Sequence, residues 1–167
     1  MKLGFLLDTN VLSELMRPAP NQQVLAWFAQ QTASPMWTSA ITQAELLCGV
    51  ALLPDGARRA QLATLAEQLF SLDFAPGRVL PFDAQAAAYY ALLRAQQQRA
   101  GLPITTEDAQ IAAIALAASR IRVAAAISLR PVLKTLVAPI LPEPMSRISP
   151  SPASFVIIKP KGIEPNK

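Results

Sequence analysis

Three observations predict an α/β fold, a parallel sheet flanked by helices. Four short runs, Leu3–Leu7, Met36–Thr38, Arg78–Pro81 and Arg120–Ile127, have the length and residue types of strands. The segments between them repeat apolar residues at helical spacing. The chain has 167 residues and is 52% hydrophobic, enough for one domain with a sizeable core around such a sheet.

Each element has a local reason. Leu3–Leu7 is an apolar run that ends at Asp8. Asn10–Arg17 is a short helix that stops before Pro18, because the residue ahead of a proline avoids helical backbone. After Pro20, residues Val24, Leu25, Trp27 and Phe28 mark a second helix. Ile41–Leu53 is a third, with Ile41, Ala44, Leu47 and Cys48 on one face. Pro54-Asp55-Gly56 is a turn. Ala57–Phe74 reads as one long amphipathic helix with Leu62, Leu65, Leu69 and Leu72 as its stripe. Asp83 is expected to cap a helix that runs to Ala100 and ends at Gly101. Thr105–Ala118 is a very apolar helix, expected at the centre.

The texture changes beyond Ala126. Pro131, Pro139, Pro142 and Pro144 come in quick succession, with four more prolines before the end, and regular helix is hard to sustain through them. The expected organisation is a domain over residues 1–126 and a Pro-rich tail over 127–167. The stretch Met145–Lys167 reads as disordered and basic.

Composition excludes much chemistry. There is no histidine, which removes Ser-His-Asp and Cys-His catalysis and histidine general bases. Cys48 is the single cysteine, so no internal disulfide and no Cys-rich zinc site can form. Catalysis would rest on carboxylates, Lys, Ser/Thr or a carboxylate-held ion, and carboxylate oxygens favour Mg²⁺ or Mn²⁺. No apolar run reaches the roughly 18 residues of a membrane helix, and Asp8 interrupts the N-terminal run too early for a secretory signal. A cytoplasmic protein is the expectation. The net charge of +4 mildly suits a polyanionic partner.

Among 11 acidic residues, three stand near expected helix starts. Asp8 follows the first strand. On its own it is slightly better explained as an N-cap, with Thr9 or Asn10 able to share that work. Glu45 follows Thr42 at capping-box spacing, and Asp108 follows Thr105 at the same spacing. Capping accounts for each of them singly. Helix starts in an α/β fold gather at one sheet edge, however, and carboxylates gathered there repel unless a cation neutralises them. A divalent ion that activates water and binds phosphate oxygen is the economical explanation.

Together "LLDTNVLSEL", "SAITQAELLCGV", "LPFDAQAAAYYALL" and "AGLPITTEDAQIAAIAL" resemble, in order, the motifs of PIN-domain ribonucleases, in particular VapC-type toxins of bacterial toxin–antitoxin pairs. The resemblance spans residues 1 to 125 or so. It implies that Asp8, Glu45 and Asp108 are acidic metal-binding residues, with Thr9 and Ser39 as hydroxyls supporting metal or phosphate binding. It also implies Mg²⁺-dependent cleavage of RNA, a homodimer, and an antitoxin that inserts a segment into or near the active site.

One departure stands out. The family continues past its last core strand with a polar segment and a fourth acid, where this chain reads "VAAAISLRPVLKTLVAPILPEP"; no Asp follows Asp108. A frameshifted or replaced C-terminus would explain the change, and a close relative whose intact sequence continues in another frame would show it. An alternative function is therefore a degenerate toxin that keeps only antitoxin or partner binding. A phosphatase with Asp8 as nucleophile is a further reading, but it wants a second Asp where Asn10 stands.

Overall fold

The computed structural model describes residues 4–31, 34–74, 76–101, 104–118 and 121–124, and the expected parallel sheet is present in it. In chain order the elements are β1 (Gly4–Leu7), α1 (Thr9–Leu15), α2 (Gln22–Gln30), β2 (Met36–Ser39), α3 (Ala40–Ala51), α4 (Ala57–Gln68), a π-helical turn (Leu69–Asp73), β3 (Val79–Leu80), α5 (Ala84–Ala100), α6 (Thr106–Ala117) and β4 (Ile121–Ala124). The strand order is β3-β2-β1-β4 and every pairing is parallel. Strand β1 is central: Leu7 pairs in register with Thr38 of β2 and with Ala124 of β4. The expected tail, the upper domain boundary and the end of the fourth strand lie outside the described residues. No helix among the described residues is long and apolar enough to cross a membrane.

Side chains alternate along β1, so one strand feeds two cores. Leu6 packs with Ala86 and Leu93 of α5 and with Ile111 to Ala115 of α6. Phe5 and Leu7 pack on the other face with Val11, Leu12, Val24, Leu46 and Phe74. Helix α6 is the apolar central helix expected, with Ala109 and residues 111–115 buried. Gly4 is dictated by space: a Cβ there would lie 1.9 Å from a ring carbon of Trp37 and 2.3 Å from the Pro35 carbonyl oxygen. Gly101 ends α5 in the left-handed conformation, at φ 65°, as a C-terminal glycine should.

Two expectations change. The helix expected over Ala57–Phe74 is regular only to Gln68 and then widens into the π turn. The wider turn shifts the facing residues, so Leu72 leaves the stripe and is 72% exposed while Phe74 enters the core at 5%. On α3, the buried residues are Thr42 and Leu46. Of the face expected from Ile41, Ala44, Leu47 and Cys48, only Ile41 packs inward; Leu47, Cys48 and Ala44 are exposed.

Candidate active site

Strand ends set the site. In a parallel sheet all carboxyl ends lie on one edge, where open α/β folds bind ligands. Helix α1 starts directly after β1 and α3 directly after β2, so both begin at that edge. Helix α6 leads into the start of β4, which places its C-terminus at the opposite edge and directs its first turn back to this one.

Asp8 occupies the step from β1 to α1. It is 3% exposed, and its Oδ1 accepts a 2.9 Å hydrogen bond from the Val11 N–H, capping α1. The cap expected for this residue is present, and it does not exhaust a carboxylate, which can accept several hydrogen bonds. Thr9 is the first residue of α1, and its hydroxyl donates to Glu45 Oε2.

The capping box expected at Thr42 and Glu45 is absent. The cap of α3 is Ser39, whose Oγ accepts from the Thr42 N–H and donates to Thr42 Oγ1, each at 2.9 Å. Glu45 lies a turn further on, half-buried, and is released from capping to face Thr9. Ser39 is fully buried with its one proton committed to Thr42, so the geometry makes it a builder of the α3 start.

Asp108 lies in the first turn of α6 and is half-buried. Thr105 caps that helix, accepting from the Asp108 N–H at 3.1 Å. The Asp108 carboxylate has no hydrogen-bond partner among the described residues. The neighbouring Glu107 is exposed, as expected.

Three contributors to this edge escaped the sequence reading. Thr38 is buried and donates to the Leu7 carbonyl at 3.1 Å, fastening the ends of β2 and β1 together beside Asp8. Thr42 closes the hydroxyl pair with Ser39. Arg94 of α5 donates to the Ile104 carbonyl at 2.8 Å, tying α5 to the segment that leads into Asp108. The first two had a signal, a Thr-Ser-x-x-Thr spacing at a strand end, where buried hydroxyls must find partners. The third has none, because a lone exposed arginine reads as surface.

The structure thus joins Asp8, Thr9 and Glu45 through one dipeptide and one hydrogen bond, and brings Asp108 to the same edge from another helix. Among the described residues no three acidic or cysteine side chains close around a common point. The donor set is all oxygen, which suits a hard divalent ion; Mg²⁺ takes one or two carboxylates and keeps several waters, so it needs no closed protein cage. Two other acids are engaged away from this edge: Glu14, near the end of α1, pairs with Arg17, and Asp55, beyond the end of α3, with Arg59.

Comparison with known proteins agrees with this architecture. The PIN domain family profile matches residues 5–126. The toxin FitB of Neisseria gonorrhoeae is 46% identical over 110 residues, 66% of this chain and 78% of FitB. The VapC ribonuclease Y4jK of Sinorhizobium fredii is 44% identical over 114 residues, 66% of this chain and 79% of that protein. Among solved structures, FitAB bound to an IR36 DNA fragment superposes with a TM-score of 0.67 at 35% identity, covering 96% of this chain and 97% of that one. With a profile match across most of its length and relatives of this identity, the chain belongs to the PIN-domain family.

Proposed function

We propose that the protein is a Mg²⁺-dependent endoribonuclease, the toxin of a toxin–antitoxin pair, with Asp8, Glu45 and Asp108 as its metal-binding acids. One observation carries this reading. At the carboxyl edge of β1, in a chain whose residues 5–126 match the PIN domain, buried Asp8 is followed by Thr9, which is bonded to the Glu45 carboxylate. Mg²⁺, or Mn²⁺ in its place, would supply a water of lowered pKa and neutralise charge on the scissile phosphate.

The chain's own residues do the rest. The Val11 N–H orients Asp8. Thr9 orients Glu45. Asp108 extends the acidic edge from the α6 side, and Arg94 holds the approach to it. Exposed arginines would hold the RNA backbone, making binding fall as salt rises. The names of the relatives support the assignment: one is a ribonuclease, one a toxin. The FitAB assembly supports a partner chain, here a cognate antitoxin. We also assign a homodimer and a cytoplasmic location. The outward apolar residues Leu47 of α3 and Leu52, which caps its end, offer surface for a partner to cover.

The test is incubation of the purified protein with structured RNAs, with and without Mg²⁺, beside Asp8→Asn. Cleavage that needs the ion and is lost in the variant is expected. Cleavage that survives Asp8→Asn would remove that residue from the mechanism. The sequence favours one second reading: with no Asp after Asp108, the fourth acid of the family is unmatched, and the chain would then bind its antitoxin without cutting RNA. Antitoxin capture by a folded but inactive protein would decide for it.

A further inference from the structure

We infer that Thr9 is a positioning residue that acts through Glu45, its one hydroxyl proton given to that carboxylate and not to a phosphate. The inference rests on the proposed metal site and assigns a role within it.

A threonine hydroxyl has one proton to give. In this structure it goes to Glu45 Oε2, a residue on another helix, 36 positions along the chain. The resemblance to known nucleases implies direct support of metal or phosphate by this hydroxyl. The geometry gives it a different target, because a donor spent on a carboxylate cannot also donate to a phosphate oxygen. Thr9 is also the one hydrogen-bond partner of the Glu45 carboxylate among the described residues.

The two ends of the contact differ in stiffness. Thr9 is β-branched, is the first residue of α1, and follows Asp8, whose own side chain is fixed by the Val11 N–H. Glu45 is a long, half-buried side chain on α3 with several rotatable bonds. The stiff residue therefore places the flexible one. The Asp8-Thr9 dipeptide positions two carboxylates, one by peptide bond and one by hydrogen bond. The same contact ties α1 to α3, so the spacing between the two acids does not depend on side-chain luck. Without the hydroxyl, Glu45 would be ordered only when the ion binds, and that ordering would weaken the ion's affinity.

The test uses the full chain without RNA. Mn²⁺ binding is titrated by the electron paramagnetic resonance signal of the free ion, for wild type, Thr9→Val, Thr9→Ser and Asp8→Asn, each first shown to be folded by circular dichroism. Loss of an outer partner of a metal ligand costs about 10–100-fold in affinity, and Thr9→Val should weaken Mn²⁺ by that order. Thr9→Ser keeps the donor and should bind close to wild type. In a Glu45→Ala background, which removes the acceptor, Thr9→Val should have no further effect, an outcome that general damage to α1 would not give. If Thr9→Val does not fold, Thr9→Ala takes its place. Wild-type affinity in Thr9→Val, or equal weakening in Thr9→Ser, overturns the inference. No binding by wild type, or binding undiminished in Asp8→Asn, overturns the metal site itself and the inference with it.

Discussion

The two faces of the sheet are packed by different means. On the face of Leu6, helices α5 and α6 meet it with small buried side chains, Ala86, Ala112, Ala113 and Ala115, and the rings of Trp37, Phe82, Tyr89 and Tyr90 stay half-buried around them. On the face of Phe5 and Leu7, rings fill the space. Trp27 stands edge-on to Phe5 and to Phe28, each at 5.1 Å between centroids, and Phe70 lies 6.3 Å from Phe74. Alanines let helices approach the sheet closely and leave no room to adjust. Rings fill irregular volume and tolerate an irregular backbone, which is where the π turn is found. The candidate site lies on the seam. Asp8, Thr9 and Glu45 belong to the ring-packed half through α1 and α3, and Asp108 belongs to the alanine half through α6.

If this contrast is right, the halves should respond unequally to a change of side-chain volume. Ala113→Leu inserts a branched side chain where the residue is fully buried between helix and sheet. It should destabilise by about 1–3 kcal/mol or more, as overpacking does. Phe74→Leu, in the ring-packed half, should cost about 1.5 kcal/mol or less, because its neighbours can shift. Denaturant midpoints for the two variants measure this. Equal losses would erase the distinction between the faces.

Gln97 is the exception within the alanine half. It is 2% exposed, and both polar atoms of its amide are buried without a hydrogen-bond partner among the described residues. A buried amide in that state carries a desolvation cost of about 1–3 kcal/mol that an apolar residue of similar size does not. Gln97→Leu should therefore stabilise the fold by about that amount, seen as a higher melting temperature. A lower one would mean that this half is not the dry, alanine-lined layer described above, and that the amide has a polar role.

The same contrast explains what was legible in the sequence. In the alanine half, α5 and α6 carry strong end signals: Asp83 caps α5, Gly101 ends it and Thr105 caps α6, each where expected. The ring-packed half was less legible. Continuous helical spacing from Ala57 to Phe74 hid the π turn, because a widened turn leaves no mark on composition, and Leu72 was placed inside as a result. On α3, both faces carry apolar residues, so periodicity alone could not say which packs on the sheet. At the site, Asp8 was legible as a polar residue ending a buried strand. The bond between Thr9 and Glu45 was not, because it depends on α1 and α3 being neighbours, a fact of topology and not of local spacing. The Thr42–Glu45 box was a false signal, since Ser39, the last residue of β2, had already taken the cap.

The smallest expected effect tests the ring-packed half at its margin. Glu14 lies near the end of α1, and its Oε2 meets Arg17 at 3.0 Å while Oε1 accepts from the Asn21 N–H at 2.8 Å. The hydrogen bond from Arg17 is the main reason that its carboxyl titrates below the ordinary 4.5; burial opposes the shift, and the Asn21 N–H and the Arg17 charge reinforce it. A group whose folded value is depressed stabilises the fold above its unfolded value. That contribution is lost as pH falls through the folded value, since the unfolded chain takes up the proton more readily. Glu14→Gln keeps an acceptor for Asn21 and removes only the charge. The variant should be less stable than wild type near neutral pH, by under about 1 kcal/mol for so exposed a pair, and the gap should close below the carboxylate range. High salt should narrow it as well, by screening Arg17. Denaturant melts at neutral and acid pH measure the difference. A gap that persists in acid would mean that the contact to Asn21, the start of the ring-packed α2, depends on the shape of the carboxylate and not on its charge.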